Sequence, residues 1–362
     1  MGPPEQMMDG GAPKSTDRPA EKPGAPHRVV TLRDVAQHAG VGTMTVSRAL
    51  HKPEMVSGPL RAKILAAVEE LGYIRNRFAG GLASGTARIV PVIIPTLLHS
   101  VYIPFLDGVY SVLSPLGYQV ILGTTEYLLE TEEHLVEAFL GSFPDALFVS
   151  GVDHSVKTKQ LLERSRLPII EAMDLTDHPI GINVGFSHYK VGVAVAEYFQ
   201  QKGYKRIAYA GTLTEIDLRS VKRIAGFQQT LKDFGLRHDF IQRSNEPFSI
   251  GLGRKLLTDL LRQHPEIQAV FFANDDLAAG AIFECQRRGI QVPGQLAIMG
   301  FNDQDIAGSM VPSITSIATP RREIGELAAQ LLVRRLEGHP LEERQVDVGF
   351  KIMERETTRP LA

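Results

Sequence analysis

The stretch from residue 29 to residue 50 constrains the fold more than any other part of the chain. Thr31, with an acidic residue three positions further on, has the capping-box spacing that begins a short helix. Gly40 falls where that helix must end, because glycine enters the left-handed conformation at little cost. A second helix can begin two residues later and bury Val46, and the small side chain of Ala36 lets the two helices cross closely. This spacing predicts a helix-turn-helix.

The exposed face of the second predicted helix carries side chains suited to reading DNA: Thr43, Met44, Thr45, Ser47 and Arg48. Arg48 can bond the edge of a guanine with both arms of its guanidinium, and Met44 can contact a thymine methyl group. The hydroxyl groups of Thr45 and Ser47 can bond phosphates. The pattern alone leaves one alternative open, an ordinary helical hairpin whose polar face is solvated.

The run from Thr31 to Leu50 resembles the DNA-reading signature of the lactose/galactose-repressor (LacI/GalR) family. The resemblance continues through Val56-Ser57, Arg61, Ile64, Glu70-Leu71-Gly72-Tyr73 and Asn76-Arg77. It implies that a headpiece, residues 28–75, binds operator DNA through the major groove. It also adds Thr31 and Asn76 to the residues expected to contact DNA.

Residues 76–87 correspond to the segment that forms a hinge helix on operator DNA in this family. The resemblance implies that Leu82 wedges into the minor groove between two half-sites, which would bend the DNA. A helix this short is marginal by itself, and Gly80 and Gly81 each cost it about 1 kcal/mol relative to alanine. Arg75, where the family usually has proline, and the glycine pair depart from the pattern. The alternative is a plain flexible linker.

Composition separates the N-terminal parts of the chain. Residues 1–27 are rich in proline, glycine and charged residues and have few large apolar side chains, which predicts a disordered tail. Residues 28–88 have more basic than acidic side chains, although the net charge of the whole chain is −2. A basic head on an acidic body favours a polyanion as the partner of one end only.

From residue 88 onward, apolar strands alternate with amphipathic helices, which predicts buried parallel sheets. The fold class is therefore α/β: an all-α helix-turn-helix headpiece, a hinge helix, and a two-lobed, doubly wound core over residues 88–362. The family implies a core like that of the periplasmic binding proteins. We expect the first lobe at about 88–186 plus 319–340 and the second at about 187–318 plus 341–357, with one last strand near 346–353.

Several functional classes are disfavoured by the sequence. The single Cys285 rules out an intrachain disulfide and a cysteine-rich zinc site. There is no run of 18 apolar residues and no signal-peptide pattern, so we expect a cytoplasmic, nucleoid-associated protein with no membrane partner. Gly251-x-Gly253 lacks the third glycine of a dinucleotide loop, and no nucleophile elbow occurs. The sequence therefore predicts no enzyme, no cofactor and no metal.

Ligands of doubly wound lobes bind outside the carboxyl ends of the strands, in the cleft between the lobes. The family's Arg-x-x-Gly-Phe, Asn-Asp and Gly-Phe/Tyr-Asp-Asp motifs are matched at residues 223–227, 274–275 and 300–303. The resemblance thus implies an effector site with these members: Tyr102, Glu171, Phe186, Arg223, Asn274 and Asn302. Tyr102, Glu171 and Phe186 are assigned by alignment only, and a structural role is an equal alternative for them, more so for Glu171 if the ligand is anionic.

Asn302 stands where the family usually has an aspartate. An aspartate would repel a bound carboxylate, whereas an amide can donate to it, and Arg223 would supply a charge-assisted fork. This difference favours a sugar acid. Residues 171–174, 274–278 and 281–289 resemble the gluconate-utilisation repressor subgroup, so gluconate is the expected effector, with 2-ketogluconate, another hexonate or a neutral sugar as alternatives.

The sequence thus predicts a homodimeric transcriptional repressor of sugar-acid catabolism genes. We expect a pseudo-palindromic operator in double-stranded DNA and release by the effector. The opposite coupling, with the ligand as co-repressor, stays open. A solute-binding protein without a regulatory role and a sugar-processing enzyme are the rivals from other classes.

Overall fold

The computed structural model describes residues 2, 30–74, 87–97, 100–212, 216–340 and 343–360. The chain divides into two compact units, Met1–Arg77 and Phe78–Ala362. The predicted hinge helix with Asn76 and Leu82 lies outside the described residues, and so does the predicted N-terminal tail apart from Gly2.

The first unit is a three-helix headpiece: α1 (Leu32–Ala39), α2 (Thr43–His51) and α3 (Gly58–Glu70). Thr31 and Asp34 form the predicted capping box, in which the Asp34 amide donates to the Thr31 hydroxyl and the Thr31 amide donates to the Asp34 carboxylate. Gly40 ends α1 with φ +64°. The core is small: Val35, Ala36, Ala39, Val46, Ala49, Ile64 and Ala67. These contacts confirm the predicted all-α headpiece.

The second unit contains two sheets flanked by helices. The first lobe consists of β1 (Ile89–Ile94), α4 (Ile103–Leu113), β2 (Gln119–Thr124), α5 (Leu129–Leu140), β3 (Leu147–Ser150), α6 (Val156–Ser165), β4 (Ile169–Ala172), β5 (Ile182–Gly185) and, late in the chain, α12 (Arg321–Leu336) and β11 (Gln345–Asp347). Its strand order is β11-β5-β4-β3-β1-β2, and every recorded pairing is parallel.

The second lobe repeats this plan. It consists of α7 (His188–Gln201), β6 (Ile207–Thr212), α8 (Leu218–Asp233), β7 (Ile241–Ser244), α9 (Ile250–Gln263), β8 (Ala269–Phe272), α10 (Asp275–Arg288), β9 (Ala297–Asn302), α11 (Asp305–Ser309), β10 (Thr315–Ala318) and β12 (Lys351–Met353). The order is β12-β10-β9-β8-β6-β7, and only β12 runs antiparallel to its neighbour. The predicted α/β, two-lobed fold class is confirmed. No helix among the described residues is long and apolar enough to cross a bilayer.

One prediction about the last part of the chain is wrong. The single strand expected near 346–353, in the second lobe, is two short strands in different sheets. β11 pairs with β5 of the first lobe, and β12 pairs with β10 of the second. Between these two strands the chain passes from the first lobe to the second. Gly349 turns the chain there with a φ of +68°, although the apolar pattern of the sequence shows no break at this position.

The helix pair α7/α8 is held together by close backbone contact. A Cβ atom on Gly192 would overlap the carbonyl oxygen of Arg223, and one on Gly226 would overlap that of Tyr189. Glycine is therefore required for this close approach. The packing fixes the positions of His188 at the start of α7 and Arg223 in α8, which both line the cleft between the lobes.

Candidate functional site

The predicted reading face of α2 is mostly open to solvent. Met44 is 67% exposed, so its apolar side chain is available for contact with a partner. Thr43 and Arg48 are exposed as well, whereas Thr45 and Ser47 are half-buried. Thus Thr43, Met44 and Arg48 are the members of the predicted set that the headpiece presents most fully.

The first turn of α2 adds a feature that the sequence analysis did not use. The N-cap residue is Gly42, which has no side chain to bond the free amides, and the first turn contains no acidic residue. Uncapped amides at the positive end of a helix are suited to binding a phosphate. Thr31 is exposed too, but its hydroxyl donates to the Asp34 carboxylate at 2.6 Å, so part of its role is to start α1.

The cleft between the lobes brings together residues that are far apart in the sequence. It encloses about 530 Å³, counted out to its open mouth. Of the predicted effector residues, the following line it: Tyr102, Phe186, Arg223, Asn274 and Asn302. The lining residues that the sequence analysis missed include Tyr127, His188, Asp217, Arg219 and Phe301.

Glu171 is not a cleft residue, and its predicted assignment to the effector site is corrected. Its carboxylate accepts a hydrogen bond of 2.6 Å from the Ile180 amide and lies 3.6 Å from Nε2 of His154. Burial lowers the pKa of His154, but Glu132 and Glu171 outweigh this effect and raise it to about 9. Glu171 therefore serves the structure of the first lobe, which is the alternative that the sequence left open.

Arg223 is the central charged group of the cleft and is only 3% exposed. Its Nη1 lies 2.9 Å from Nδ1 of His188, and Nε2 of His188 lies 3.0 Å from the carbonyl oxygen of Met173. Because a carbonyl only accepts, Nε2 of His188 carries the proton and Nδ1 accepts from Arg223. Burial, together with the charges of Arg223 and Arg219, holds the pKa of His188 well below its ordinary value, so the ring is neutral.

A second arginine reaches the same cleft from one turn earlier in α8. Arg219 lies 3.3 Å from the Asp217 carboxylate and stacks near the rings of Tyr102 and Tyr127. Burial alone would raise the pKa of Asp217, but Arg219 and Arg223 outweigh it and lower the pKa, so this carboxyl is ionised. The described residues that line the cleft include two arginines, Arg219 and Arg223, and one ionised carboxylate, Asp217. Their net charge is therefore about +1 near neutral pH.

The two predicted asparagines occupy strand ends in the second lobe. Asn274 caps α10, its Oδ1 accepting from the Leu277 amide at 2.9 Å, so its amide nitrogen is the group that a ligand can use. Asn302 ends β9 with φ +98°, a conformation that asparagine tolerates better than most residues. Beside it, the ring of Phe301 stacks 4.2 Å from the guanidinium carbon of Arg223 and holds it in place.

The helix that carries both arginines also ties the lobes together. Lys222 lies 2.6 Å from Asp153 and 2.7 Å from Asp174, and both acids belong to the first lobe. Arg219 donates to the hydroxyl of Ser150, again across the cleft, at 3.2 Å. α8 therefore carries both cleft arginines and contacts that join the two lobes.

Comparison with known proteins gives a consistent assignment. Residues 31–76 match the family described as bacterial regulatory proteins of the lacI family, and residues 196–358 match a periplasmic binding protein-like domain. The chain is 38% identical to the HTH-type transcriptional regulator GntR of Pseudomonas aeruginosa, over 91% of this chain and 95% of that protein. It is 36% identical to GntR of Escherichia coli K12, over 89% and 96%.

A solved LacI-family regulator from Silicibacter pomeroyi is 33% identical and superimposes with a TM-score of 0.84, covering 91% of this chain and 99% of its own. The headpiece, the two-lobed core and these relatives agree over nearly the whole chain. The chain therefore belongs to the LacI family of bacterial transcriptional regulators.

Proposed function

We propose that the chain represses genes of sugar-acid catabolism and leaves its operator when a sugar acid, gluconate above all, binds between the lobes. The observation that carries the proposal is the charge of the cleft. A lining with about one net positive charge, and an amide at Asn302 where an aspartate is usual, suits a ligand with one carboxylate. The similarity to regulators named GntR supports the same choice. 2-Ketogluconate or another hexonate remains the alternative ligand.

In this proposal Arg223 holds the ligand carboxylate. Its Nε–H is buried and has no hydrogen-bond partner among the described residues, so one donor of the fork is available. A buried donor without a partner costs about 1–3 kcal/mol, which a bound carboxylate would recover. The amides of Asn302 and Asn274 would donate to the carboxylate and the hydroxyl groups, while Phe186 and Phe301 would cover the carbon chain.

Two headpieces of a homodimer would read the two halves of a pseudo-palindromic operator. Met44 and Arg48 would contact base edges in the major groove, and Thr43 with the free amides of the first turn of α2 would bind the phosphate backbone. Thr31, Thr45, Ser47 and Asn76 complete the proposed contact set. Leu82 would enter the minor groove between the half-sites.

The coupling between ligand and DNA follows from the cleft. The ligand would contact Tyr102 and Phe186 of the first lobe and Arg223 and Asn274 of the second, so it favours the closed arrangement of the lobes. Closure changes how the first lobes of the dimer meet and separates the hinges. The ligand must bind the released state more tightly than the DNA-bound state, by about 1–3 kcal/mol.

The test compares the wild type with Arg223→Ala. A palindromic operator is first selected from a random DNA library with the wild-type chain, and gluconate binding is measured by calorimetry. We expect Arg223→Ala to bind the operator as the wild type does, and to lose most of its gluconate affinity and its release. Arg237→Ala, an exposed arginine of the second lobe, is the control. Unchanged gluconate affinity in Arg223→Ala would exclude the proposed site.

A further inference from the structure

Three arginines converge on a second cavity, at the opposite end of the first lobe's sheet from the effector cleft. The starts of the neighbouring strands β4, β5 and β11 surround it, together with the last turn of α12. Arg166 comes from the end of α6, Arg335 from α12, and Arg344 from the residue before β11. The cavity encloses about 720 Å³, counted out to its open mouth, and its described apolar lining residues are Leu167, Pro168, Ile169, Ile180 and Ile182.

Among the described residues, these arginines have no acidic partner. No described lining residue of the cavity is acidic, and none of the three guanidinium groups forms an ion pair with a described residue. Some other exposed arginines of this unit are paired, as Arg237 is with Asp239 and Arg262 with Asp259, whereas Arg243 and Arg334 form no ion pair with a described residue. Like charges brought together in one concave site repel each other unless an anion separates them.

The backbone holds these residues in place. Arg166 ends α6 with φ +57°, the left-handed conformation that is common at helix C-termini, and this turn places it shortly before the start of β4. The carbonyl of Arg344 accepts the Asn183 amide at 2.6 Å, which fixes Arg344 beside β5. Arg335 also complements the negative end of α12, but that role explains neither of the other two.

We propose that this cavity is a binding site for a phosphate monoester of a small metabolite. Guanidinium groups bind phosphoryl oxygens with paired, charge-assisted hydrogen bonds, and three of them suit a doubly charged group better than a carboxylate. The apolar lining residues would pack against the carbon part of the ligand. The site lies in the first lobe, and none of its described lining residues also lines the effector cleft. It would let the regulator respond to a second metabolite.

The test uses calorimetry on the full chain in about 150 mM salt, with glucose 6-phosphate, inorganic phosphate and glucose as probes. We expect the wild type to bind the two phosphate probes and not glucose. Arg335→Ala and Arg344→Ala should each weaken binding of glucose 6-phosphate about tenfold or more. Arg334→Ala is the matched control, because Arg334 is exposed in the same helical turn but does not line the cavity. Melting curves and gluconate titrations check that the variants are folded.

The outcomes separate this site from the effector cleft. Retention of glucose 6-phosphate binding in Arg223→Ala would support the second site, whatever gluconate does. Loss of binding in Arg223→Ala would overturn the proposal, because the phosphate would then occupy the cleft. An equal loss in Arg334→Ala, or no binding by the wild type at millimolar concentrations, would overturn it too. If Arg344→Ala weakened only operator binding, the cavity would be a DNA contact and the assignment to a metabolite would be wrong.

Discussion

Asn302→Asp restores the aspartate that is usual in the family at this position, and it tests whether the effector carries a negative charge. Asn302→Asp changes one atom of a buried side chain, and aspartate tolerates the positive φ at this position about as well as asparagine does. The substitution takes the net charge of the described lining from about +1 to about zero. The fold and the headpiece should therefore be unchanged, and only the ligand should experience the difference.

The expected magnitude follows from the separation of the charges. A ligand carboxylate held by Arg223 would lie roughly 5 Å from the new carboxylate, and at an effective dielectric constant of about 20 the repulsion is about 3 kcal/mol. This corresponds to a loss of gluconate affinity of about a hundredfold. The same repulsion would raise the pKa of the new carboxyl group in the complex from about 3.9 to about 6, so the affinity of the variant should recover as the pH is lowered from about 6 towards 4.

Calorimetry with gluconate and with sorbitol, a neutral polyol of the same length, provides the assay. The variant should lose affinity for gluconate but not for sorbitol, and operator binding without ligand should match that of the wild type. A gluconate affinity within about twofold of the wild type would refute the placement of the carboxylate beside Asn302.

Three further predictions concern other parts of the chain. Arg48→Ala should weaken operator binding by about 1–3 kcal/mol without changing gluconate affinity, as measured by anisotropy and calorimetry; a specificity profile that stays unchanged on a randomised operator would argue against base contact. Burial raises the pKa of Asp275 to about 7. The folded state therefore keeps a proton that the unfolded chain loses near pH 3.9, and stability should fall as the pH rises from about 4 to 7. Asp275→Asn cannot ionise, so its melting temperature should vary less over that window; the same slope as in the wild type would contradict this. Gly253→Ala should destabilise the second lobe by about 2 kcal/mol or more, because its Cβ would overlap the Leu277 carbonyl oxygen. Gly251→Ala in the same helix would make only an ordinary contact, 3.8 Å from the Ser249 hydroxyl, and should be neutral or slightly stabilising in denaturant unfolding.

Local signals in the sequence were enough to predict the headpiece. The capping box at Thr31 and the left-handed Gly40 are decided by neighbouring residues, and both are confirmed. The predicted strand–helix alternation likewise gave the correct fold class, because buried parallel strands carry long apolar runs. The short edge strands β11 and β12 lack such runs, and their division between two sheets depends on partners far away in the chain.

The effector cleft was predicted only in part, for a similar reason. Arg219 precedes Arg223 by four residues, so helical spacing alone places both on one face of α8 and would have identified it. Tyr127 gave no such signal, because it reaches the cleft through a turn at Glu126 and Tyr127 with positive φ that contains neither glycine nor asparagine. Glu171 was misassigned because alignment gives the position of a residue and not the direction of its side chain.

The most direct test of the central claim is fluorescence anisotropy of a labelled palindromic operator bound by the wild-type chain. Gluconate and then glucose would be titrated into the complex. We expect release of the operator by gluconate at concentrations where glucose has no effect. Release by glucose alone, or tighter DNA binding in the presence of gluconate, would contradict it.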